Sequence, residues 1–193
     1  MISAVFGIYF AFDGNIRYAI VCLMVSGFCD TFDGRIARLK KRDERELNYG
    51  IQIDSMADLI SFGALPATIA FAVSRQYDVL GASVVIIAAA YVLATLIRLS
   101  FFNAIESETQ KSPNNEGRKY FKGLPTTSIA LITPVAYSIC NLTETYFYSV
   151  LNTILVFVSI MFVLNFRIPK PSIRTQIILC LIGLPIVIFI LLA

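Results

Sequence analysis

Long apolar runs separated by short polar breaks make up nearly the whole chain. Most of these runs hold roughly 17 to 25 residues, which is the length that an α-helix needs to cross the hydrocarbon layer of a membrane. Turn-forming and charged residues mark the breaks, among them Asp13-Gly14-Asn15, the run 40–48 and Pro169-Lys170-Pro171. The pattern predicts helices near residues 1–12, 16–39, 50–73, 80–105, 124–140, 146–166 and 175–193.

These runs predict an all-α integral membrane protein, a bundle of about six to seven transmembrane helices. Residues 1–12 are too short for a full span and lack a basic segment followed by a cleavage site, so we expect the end of a first helix there and not a signal peptide. The longest hydrophilic stretch, residues 106–122, carries no sign of an independent fold. We therefore expect one domain over residues 1–193.

The composition supports the membrane class. Hydrophobic residues make up 57% of the chain and charged residues only 15%, which leaves too few polar groups to cover a water-facing surface. The cysteines have neither CxxC nor zinc-site spacing, so we interpret them as packing residues and expect no disulfide framework. They are Cys22, Cys29, Cys140 and Cys180.

The basic residues are unevenly placed, and this predicts the topology. Most of them fall in alternate connections of the predicted bundle, which should therefore face the cytoplasm of a cell membrane. We expect membrane lipid as a partner and no nucleic acid. The clustered residues are Arg35, Arg38, Lys40, Lys41, Arg42, Arg45, Lys111, Arg118, Lys119, Lys122, Arg167, Lys170 and Arg174.

Four aspartates interrupt segments that otherwise have the composition of membrane helices: Asp30, Asp33, Asp54 and Asp58. A lone carboxylate at the centre of a membrane helix costs roughly 2.5 to 3.5 kcal/mol on insertion scales, so four of them require a compensating partner. A divalent metal is the natural partner. Oxygen ligands without histidine or thiolate suit Mg²⁺, Mn²⁺ or Ca²⁺, and four carboxylates can hold two ions.

Helical spacing places these aspartates on two stripes. The stripes flank a short connection, so antiparallel helices can bring the carboxylates together near the inner membrane surface. Glycines on the stripes let a ligand or a neighbouring helix approach the backbone, and Arg38 can pair with phosphate oxygens or act as a positive-inside charge. The first stripe holds Asp30, Asp33, Gly34, Ala37 and Arg38, and the second holds Gly50, Asp54 and Asp58.

Residues 30–38 and 50–58 together resemble the signature of the CDP-alcohol phosphotransferase family. All eight fixed positions of the signature are present, and they are the eight residues of the two stripes. The spacer 39–49 has eleven residues, which is longer than is usual in the family. Because the additional residues fall in the charged run, we expect a longer cytoplasmic turn over residues 40–46.

The resemblance implies a CDP-linked donor, two divalent ions, Mg²⁺ or Mn²⁺, and release of CMP. It assigns the four aspartates to the metals and Asp58 also to the general base, with Gly34, Ala37, Arg38 and Gly50 lining the CDP site. It further implies a homodimer. Since the chain contains no histidine, a histidine base or phosphohistidine intermediate is excluded, and a direct displacement is favoured over a covalent route.

Two later segments bear on the acceptor alcohol. Residues 98–103 and 121–126 resemble parts of the phosphatidylserine synthase branch, which implies transfer of a phosphatidyl group from CDP-diacylglycerol to L-serine. A serine carboxylate needs a fixed cation, and Arg98, Asn103 and Lys122 are the candidate acceptor residues.

Other interpretations stay open at this point. Arg98 could instead extend its charge to the membrane interface, and residues 123–125 could be only a helix-start turn. Glycerol 3-phosphate or an inositol phosphate remains an alternative acceptor. A cation transporter is the remote alternative from another functional class.

Overall fold

The computed structural model describes residues 1–36, 44–111, 120–122, 124–164, 167–169, 183, 185–188 and 190–191, and for 33–36, 44, 47–48, 106–111, 120–122 and 167–169 it describes only the backbone. The described chain is largely helical. Its elements are α1 (Ile2–Phe12), α2 (Ile16–Ile36), α3 (Glu44–Asp58), a π-helical segment (Leu59–Ala64), α4 (Leu65–Gln76), α5 (Ala82–Lys111), β1 (Tyr120–Lys122), a 3₁₀ turn (Thr126–Ser128), α6 (Ile129–Thr143), α7 (Phe147–Val163) and β2 (Arg167–Pro169).

The helix predicted to begin at residue 50 begins at Glu44, so the turn expected over residues 40–46 is wrong for residues 44–46. Glutamate, arginine and leucine are good helix formers, and they extend the helix into the charged run. The predicted helix 16–39 is described as far as Ile36, and α5 continues beyond 105 to Lys111.

The remaining predicted helices agree in place but differ at their ends. At the expected start, residues 124 and 125 are not helical and are followed by the 3₁₀ turn, and α6 ends at Thr143 instead of 140. Helix α7 occupies 147–163 of the predicted 146–166. Most of the predicted helix 175–193 lies outside the described residues, and its described positions, 183, 185–188 and 190–191, are helical.

A short antiparallel ladder was not predicted. Tyr120 pairs with Pro169, Phe121 with Ile168, and Lys122 with Arg167. Strands of three residues are too short for a recognisable alternation of apolar and polar positions. The ladder joins the chain just before α6 to the chain just after α7.

Small residues bring α2 and α6 into close contact. A Cβ atom added to Gly27 would lie 2.7 Å from the Cβ of Ala130, so the two helices approach closely at this point. Close approach through glycine and alanine is typical of helices packed within membranes, where no water-driven force holds helices together. The fully buried side chains of Leu23, Leu65 and Leu155 belong to one apolar core.

Two contacts mark the end of the bundle where α1 and α4 stop and α2 and α7 start. The Gln76 side chain donates a hydrogen bond to the Gly14 carbonyl at 2.6 Å. The rings of Tyr77, Tyr146 and Tyr148 contact one another, with centroids 5.3–5.9 Å apart, and we call them the tyrosine cluster. Tyrosine rings with a polar hydroxyl are enriched where a membrane helix meets the headgroup region.

Within the described residues, two helical runs are long and apolar enough to cross a membrane: Tyr49–Gln76, with 28 residues, and Ala82–Ile105, with 24. Helices α1 and α7 are apolar but shorter. Large apolar side chains of α5, such as Ile86 and Leu93, are more than half exposed on the isolated chain, as expected for a surface that faces lipid. These features indicate membrane association.

Candidate metal and substrate site

Three of the four predicted aspartates lie together. Asp30 comes from α2, and Asp54 and Asp58 come from successive turns of α3. Each offers a carboxylate oxygen, and these oxygens all lie within 4.8 Å of one another. Asp30 and Asp58 are half-buried, whereas Asp54 is exposed. We call these three residues the acidic cluster.

The other residues of the two predicted stripes are only partly described. Asp33 and Gly34 lie in the last turns of α2, where only the backbone is described. Ala37 and Arg38 lie outside the described residues. Gly50 is half-buried in α3, one turn before Asp54.

The donor set of the acidic cluster fits a hard divalent cation. Mg²⁺ binds oxygen at about 2.0–2.1 Å and Ca²⁺ at about 2.3–2.6 Å, so two oxygens on one ion lie at most about 4 to 5 Å apart. The separation of up to 4.8 Å between the carboxylate oxygens meets this limit for Ca²⁺ and nearly meets it for Mg²⁺. It also suits a pair of ions about 3.5–4 Å apart that share carboxylates.

Arg98 lies in the last part of α5 and is only 5% exposed. Its Nε–H donates to the Leu124 carbonyl at 3.0 Å. This bond connects the first of the two acceptor segments, 98–103, to the second, 121–126. A planar guanidinium held in this way has a fixed orientation, and its terminal amino groups carry four of its five N–H donors.

Asn103 connects the same part of α5 to α3, which carries Asp54 and Asp58 and which we call the acidic helix. The Ser55 hydroxyl donates to the Asn103 Oδ1 at 2.8 Å, and Ser55 directly follows Asp54. The third predicted acceptor residue, Lys122, has its backbone in β1 opposite Arg167, and its side chain lies outside the described part of the chain. Asn103 is thus hydrogen-bonded to the helix that carries Asp54 and Asp58, and Arg98 lies on the same helix as Asn103.

The π-helical segment begins at the residue after Asp58 and was not predicted. At its end, the N–H of Leu65 donates to the Ile60 carbonyl, five residues earlier. The pattern of apolar residues does not distinguish a π-turn from an α-turn. Gly63 and Pro66 were a usable signal of an irregular helix, because both residue types disturb regular helix geometry. π-Helical turns often occur at functional sites.

The sequence profile described as CDP-alcohol phosphatidyltransferase matches residues 1–189. The chain belongs to this family. The match extends over almost all of the 193 residues, so it includes both halves of the signature and both acceptor segments. The resemblance drawn from the motifs is confirmed at the family level.

Three relatives carry names that refer to serine, either as the acceptor or as part of the product. The chain is 41% identical to the CDP-diacylglycerol–serine O-phosphatidyltransferase of Saccharomyces cerevisiae over 117 residues. It is 31% identical over 128 residues to the protein of the same name from Helicobacter pylori. It is 27% identical over 170 residues to the archaetidylserine synthase of Methanothermobacter thermautotrophicus.

The aligned regions cover 58%, 65% and 87% of this chain respectively. They cover 39% of the yeast protein, 48% of the Helicobacter protein and 65% of the archaeal protein. The chain therefore spans less than two thirds of the length of each of these relatives.

Proposed function

We propose that this CDP-alcohol phosphatidyltransferase moves a phosphatidyl group from CDP-diacylglycerol to L-serine, giving phosphatidylserine and CMP in phospholipid biosynthesis. The observation that carries the proposal is the acidic cluster, whose oxygens lie within 4.8 Å of one another in the segment that resembles the family signature. The names of the relatives support serine as the acceptor.

Asp30, Asp33, Asp54 and Asp58 would hold two divalent ions, Mg²⁺ or Mn²⁺. When bound, these ions would offset the negative charge of the diphosphate and of the departing CMP. Gly34, Ala37, Arg38 and Gly50 would line the CDP site. Glycine at position 50 leaves room for a ligand one turn before Asp54, because it carries no side chain.

Asp58 would act as general base. It takes the proton of the serine hydroxyl as the hydroxyl oxygen bonds to the phosphorus that bears the lipid. The bond from that phosphorus to the bridging oxygen breaks, and CMP leaves with the bridging oxygen. The reaction is then a direct displacement without a covalent enzyme intermediate, consistent with the absence of histidine from the chain.

Arg98, Asn103 and Lys122 would bind serine. The bond from Arg98 to Leu124 and the bond from Ser55 to Asn103 support this assignment, since they attach the acceptor residues to the acidic helix and to the segment before α6. An arginine can meet a carboxylate with two parallel hydrogen bonds, which suits the serine carboxylate.

The proposal includes a bundle of six to seven spans in the cell membrane, with the site facing the cytoplasm. Gln76 lies eighteen positions after Asp58 along the helical run, which at 1.5 Å per residue is about 27 Å, close to the thickness of the hydrocarbon layer. The acidic cluster would thus lie near one surface and Tyr77 near the other. The basic residues that follow α2 support a cytoplasmic position for the acidic end. A homodimer, implied by the family resemblance, is part of the proposal.

The test is CMP release by the purified chain with CDP-diacylglycerol and a panel of acceptors: L-serine, glycerol 3-phosphate, an inositol phosphate and ethanolamine. We expect serine to be used best, activity to disappear with a chelator, and activity to return with Mg²⁺ or Mn²⁺. Preference for a phosphorylated acceptor would overturn the assignment of serine as the acceptor, whereas the assignment of phosphotransferase chemistry would stand. Uptake of the divalent cation into vesicles that contain the protein, without CMP release, would favour a cation transporter.

A further inference from the structure

An uninterrupted α-helix would place two incompatible sets of residues on one face. The spacing i, i+4, i+11, i+15 relates Asp54, Asp58, Leu65 and Ile69. At 100° per residue, these four positions fall within an arc of roughly 60° around the helix axis. The carboxylates must face polar surroundings, yet Leu65 and Ile69 are fully buried in the apolar core. A change of helical phase between Asp58 and Leu65 would turn the two sets of residues to different faces.

The π-helical segment supplies this change. A π-turn holds about one more residue than an α-turn, so it rotates the following helix by roughly 100° relative to an uninterrupted α-helix. The segment lies entirely between Asp58 and Leu65. The acidic cluster and the apolar face of α4 can thus point in different directions from one continuous helical run.

Pro66 removes the N–H group that the Phe62 carbonyl would use in a regular α-helix. In an α-helix the Phe62 carbonyl would accept from the N–H of residue 66, but residue 66 is proline, which has no N–H. The Tyr91 hydroxyl of α5 donates to this Phe62 carbonyl at 2.6 Å. Tyr91 and Phe62 are both fully buried, so water does not replace a lost donor there.

We infer that Tyr91 is a positioning residue, whose hydrogen bond to Phe62 holds the π-helical segment and thereby the orientation of Asp54 and Asp58 as metal ligands. The inference rests on the proposed function, because it takes the acidic cluster as the metal site. Tyr91 does not itself touch metal or substrate in this account. Its influence passes through the backbone between Phe62 and Asp58.

The first measurement is Mn²⁺ affinity of the full chain in detergent, by electron paramagnetic resonance titration. Tyr91→Phe removes only the hydroxyl, and we expect the Mn²⁺ dissociation constant to rise by about threefold to tenfold, in line with the loss of one buried hydrogen bond. The matched control is Tyr148→Phe, which removes the same atom from a half-buried tyrosine on α7 in the tyrosine cluster. Its Mn²⁺ affinity should equal that of the wild type.

A second variant disturbs the same segment without touching Tyr91. A Cβ on Gly63 would lie 3.2 Å from the Leu59 Cδ1 and 3.3 Å from the Thr95 Cγ2, so Gly63→Ala should press the segment away from α5. We expect weaker Mn²⁺ binding in this variant too. If Tyr91→Phe does not fold, the Gly63→Ala result decides.

The CMP-release assay adds a readout that a general loss of stability would not produce. The Michaelis constant for Mn²⁺ should rise in Tyr91→Phe while that for serine stays the same. Wild-type Mn²⁺ affinity in a folded Tyr91→Phe overturns the inference and leaves the proposed function intact. If the wild-type protein shows no activity with serine, the assignment of serine as acceptor is overturned. Weakened Mn²⁺ binding in Tyr91→Phe would still support the positioning role in that case.

Discussion

At the scale of single residues, Asp58 combines two expected roles, metal ligand and general base. Asp58→Asn keeps the shape of the side chain but removes its capacity to take a proton at neutral pH. We expect turnover to fall by roughly 10² or more, while the Michaelis constant for CDP-diacylglycerol changes little. The measurement is steady-state CMP release at saturating Mn²⁺, which offsets any loss of metal affinity.

The matched control for this substitution is Asp78→Asn. Asp78 is exposed in the turn after α4 and has a positive φ of 53°, a conformation that asparagine adopts as readily as aspartate. This variant should retain wild-type turnover. If Asp58→Asn also turns over at the wild-type rate, another group takes the proton.

Arg98 provides the residue-scale test of the acceptor. Arg98→Ala should raise the Michaelis constant for serine far more than that for CDP-diacylglycerol, by an amount that corresponds to about 1.5 to 3 kcal/mol for a charge-assisted contact. Arg98→Lys should also weaken serine use, because an ammonium group cannot form the planar two-pronged contact. The measurement is acceptor-dependent CMP release after each variant is verified to be folded.

The control for Arg98 must separate binding from scaffolding, since its Nε–H also holds the Leu124 carbonyl. Ethanolamine keeps the hydroxyl and the amine of serine but has no carboxylate, so its slow reaction should be nearly insensitive to Arg98. Arg75→Ala, which changes an exposed arginine in the last turn of α4, should affect neither acceptor. Equal losses with serine and ethanolamine in Arg98→Ala would assign Arg98 a purely structural role.

At the scale of helices, the contact between α2 and α6 limits the size of residue 27. Gly27→Ala would place its Cβ 2.7 Å from the Cβ of Ala130, so the helices must move apart. Overpacking of this kind costs typically about 1–3 kcal/mol, and we expect a lower midpoint of thermal unfolding in detergent. Helix α2 also carries Asp30, so the same variant should bind Mn²⁺ more weakly.

Two further variants test this explanation. Gly27→Ala combined with Ala130→Gly removes the opposing Cβ and should recover much of the lost stability. Gly81→Ala is the matched control, because a Cβ there meets nothing closer than the Ser83 Oγ at 4.0 Å. A Gly27→Ala protein that unfolds at the wild-type temperature would show that the two helices separate without cost.

The helices themselves were largely predictable from sequence, because an apolar run of membrane length has few alternatives to a helix. The convergence of Asp30 with Asp54 and Asp58 was expected from their stripes, and the described oxygens do lie together. The helical start at Glu44 was not predicted, because a run of charged residues is typical of a turn, whereas glutamate, arginine and leucine are also good helix formers.

Other features depend on contacts between distant segments, which spacing along the chain does not encode. The pairing of Phe121 with Ile168 joins segments more than 40 residues apart, and neither strand is long enough to show a pattern. The hydrogen bond from Ser55 to Asn103 likewise needs the three-dimensional packing of α3 against α5. The π-helical segment requires knowledge of the donor on Tyr91 as well as of Pro66.

At the scale of the whole molecule, the proposed orientation predicts opposite exposure of its two ends. In a chain whose four cysteines are replaced by alanine, Gln52→Cys lies on the acidic helix and Thr145→Cys lies near the tyrosine cluster, and both positions are exposed. A membrane-impermeant thiol reagent added to intact cells should label Thr145→Cys and leave Gln52→Cys unlabelled.

Inverted membrane vesicles are the complementary sample, in which the labelling should be reversed. The cysteine-replaced chain without either added thiol gives the background signal. Labelling of both positions from the same side would contradict the proposed topology, because the two sites would then share one membrane surface.

The tyrosine cluster gives the protein an internal optical reporter. The chain contains no tryptophan, so its ultraviolet emission arises from tyrosine alone. Tyr77, Tyr146 and Tyr148, with centroids at most 5.9 Å apart, are close enough to pass excitation from ring to ring, which depolarises the emitted light. When α4 and α7 separate, energy transfer between Tyr77 and the rings of Tyr146 and Tyr148 is lost, and this part of the depolarisation disappears without any added dye.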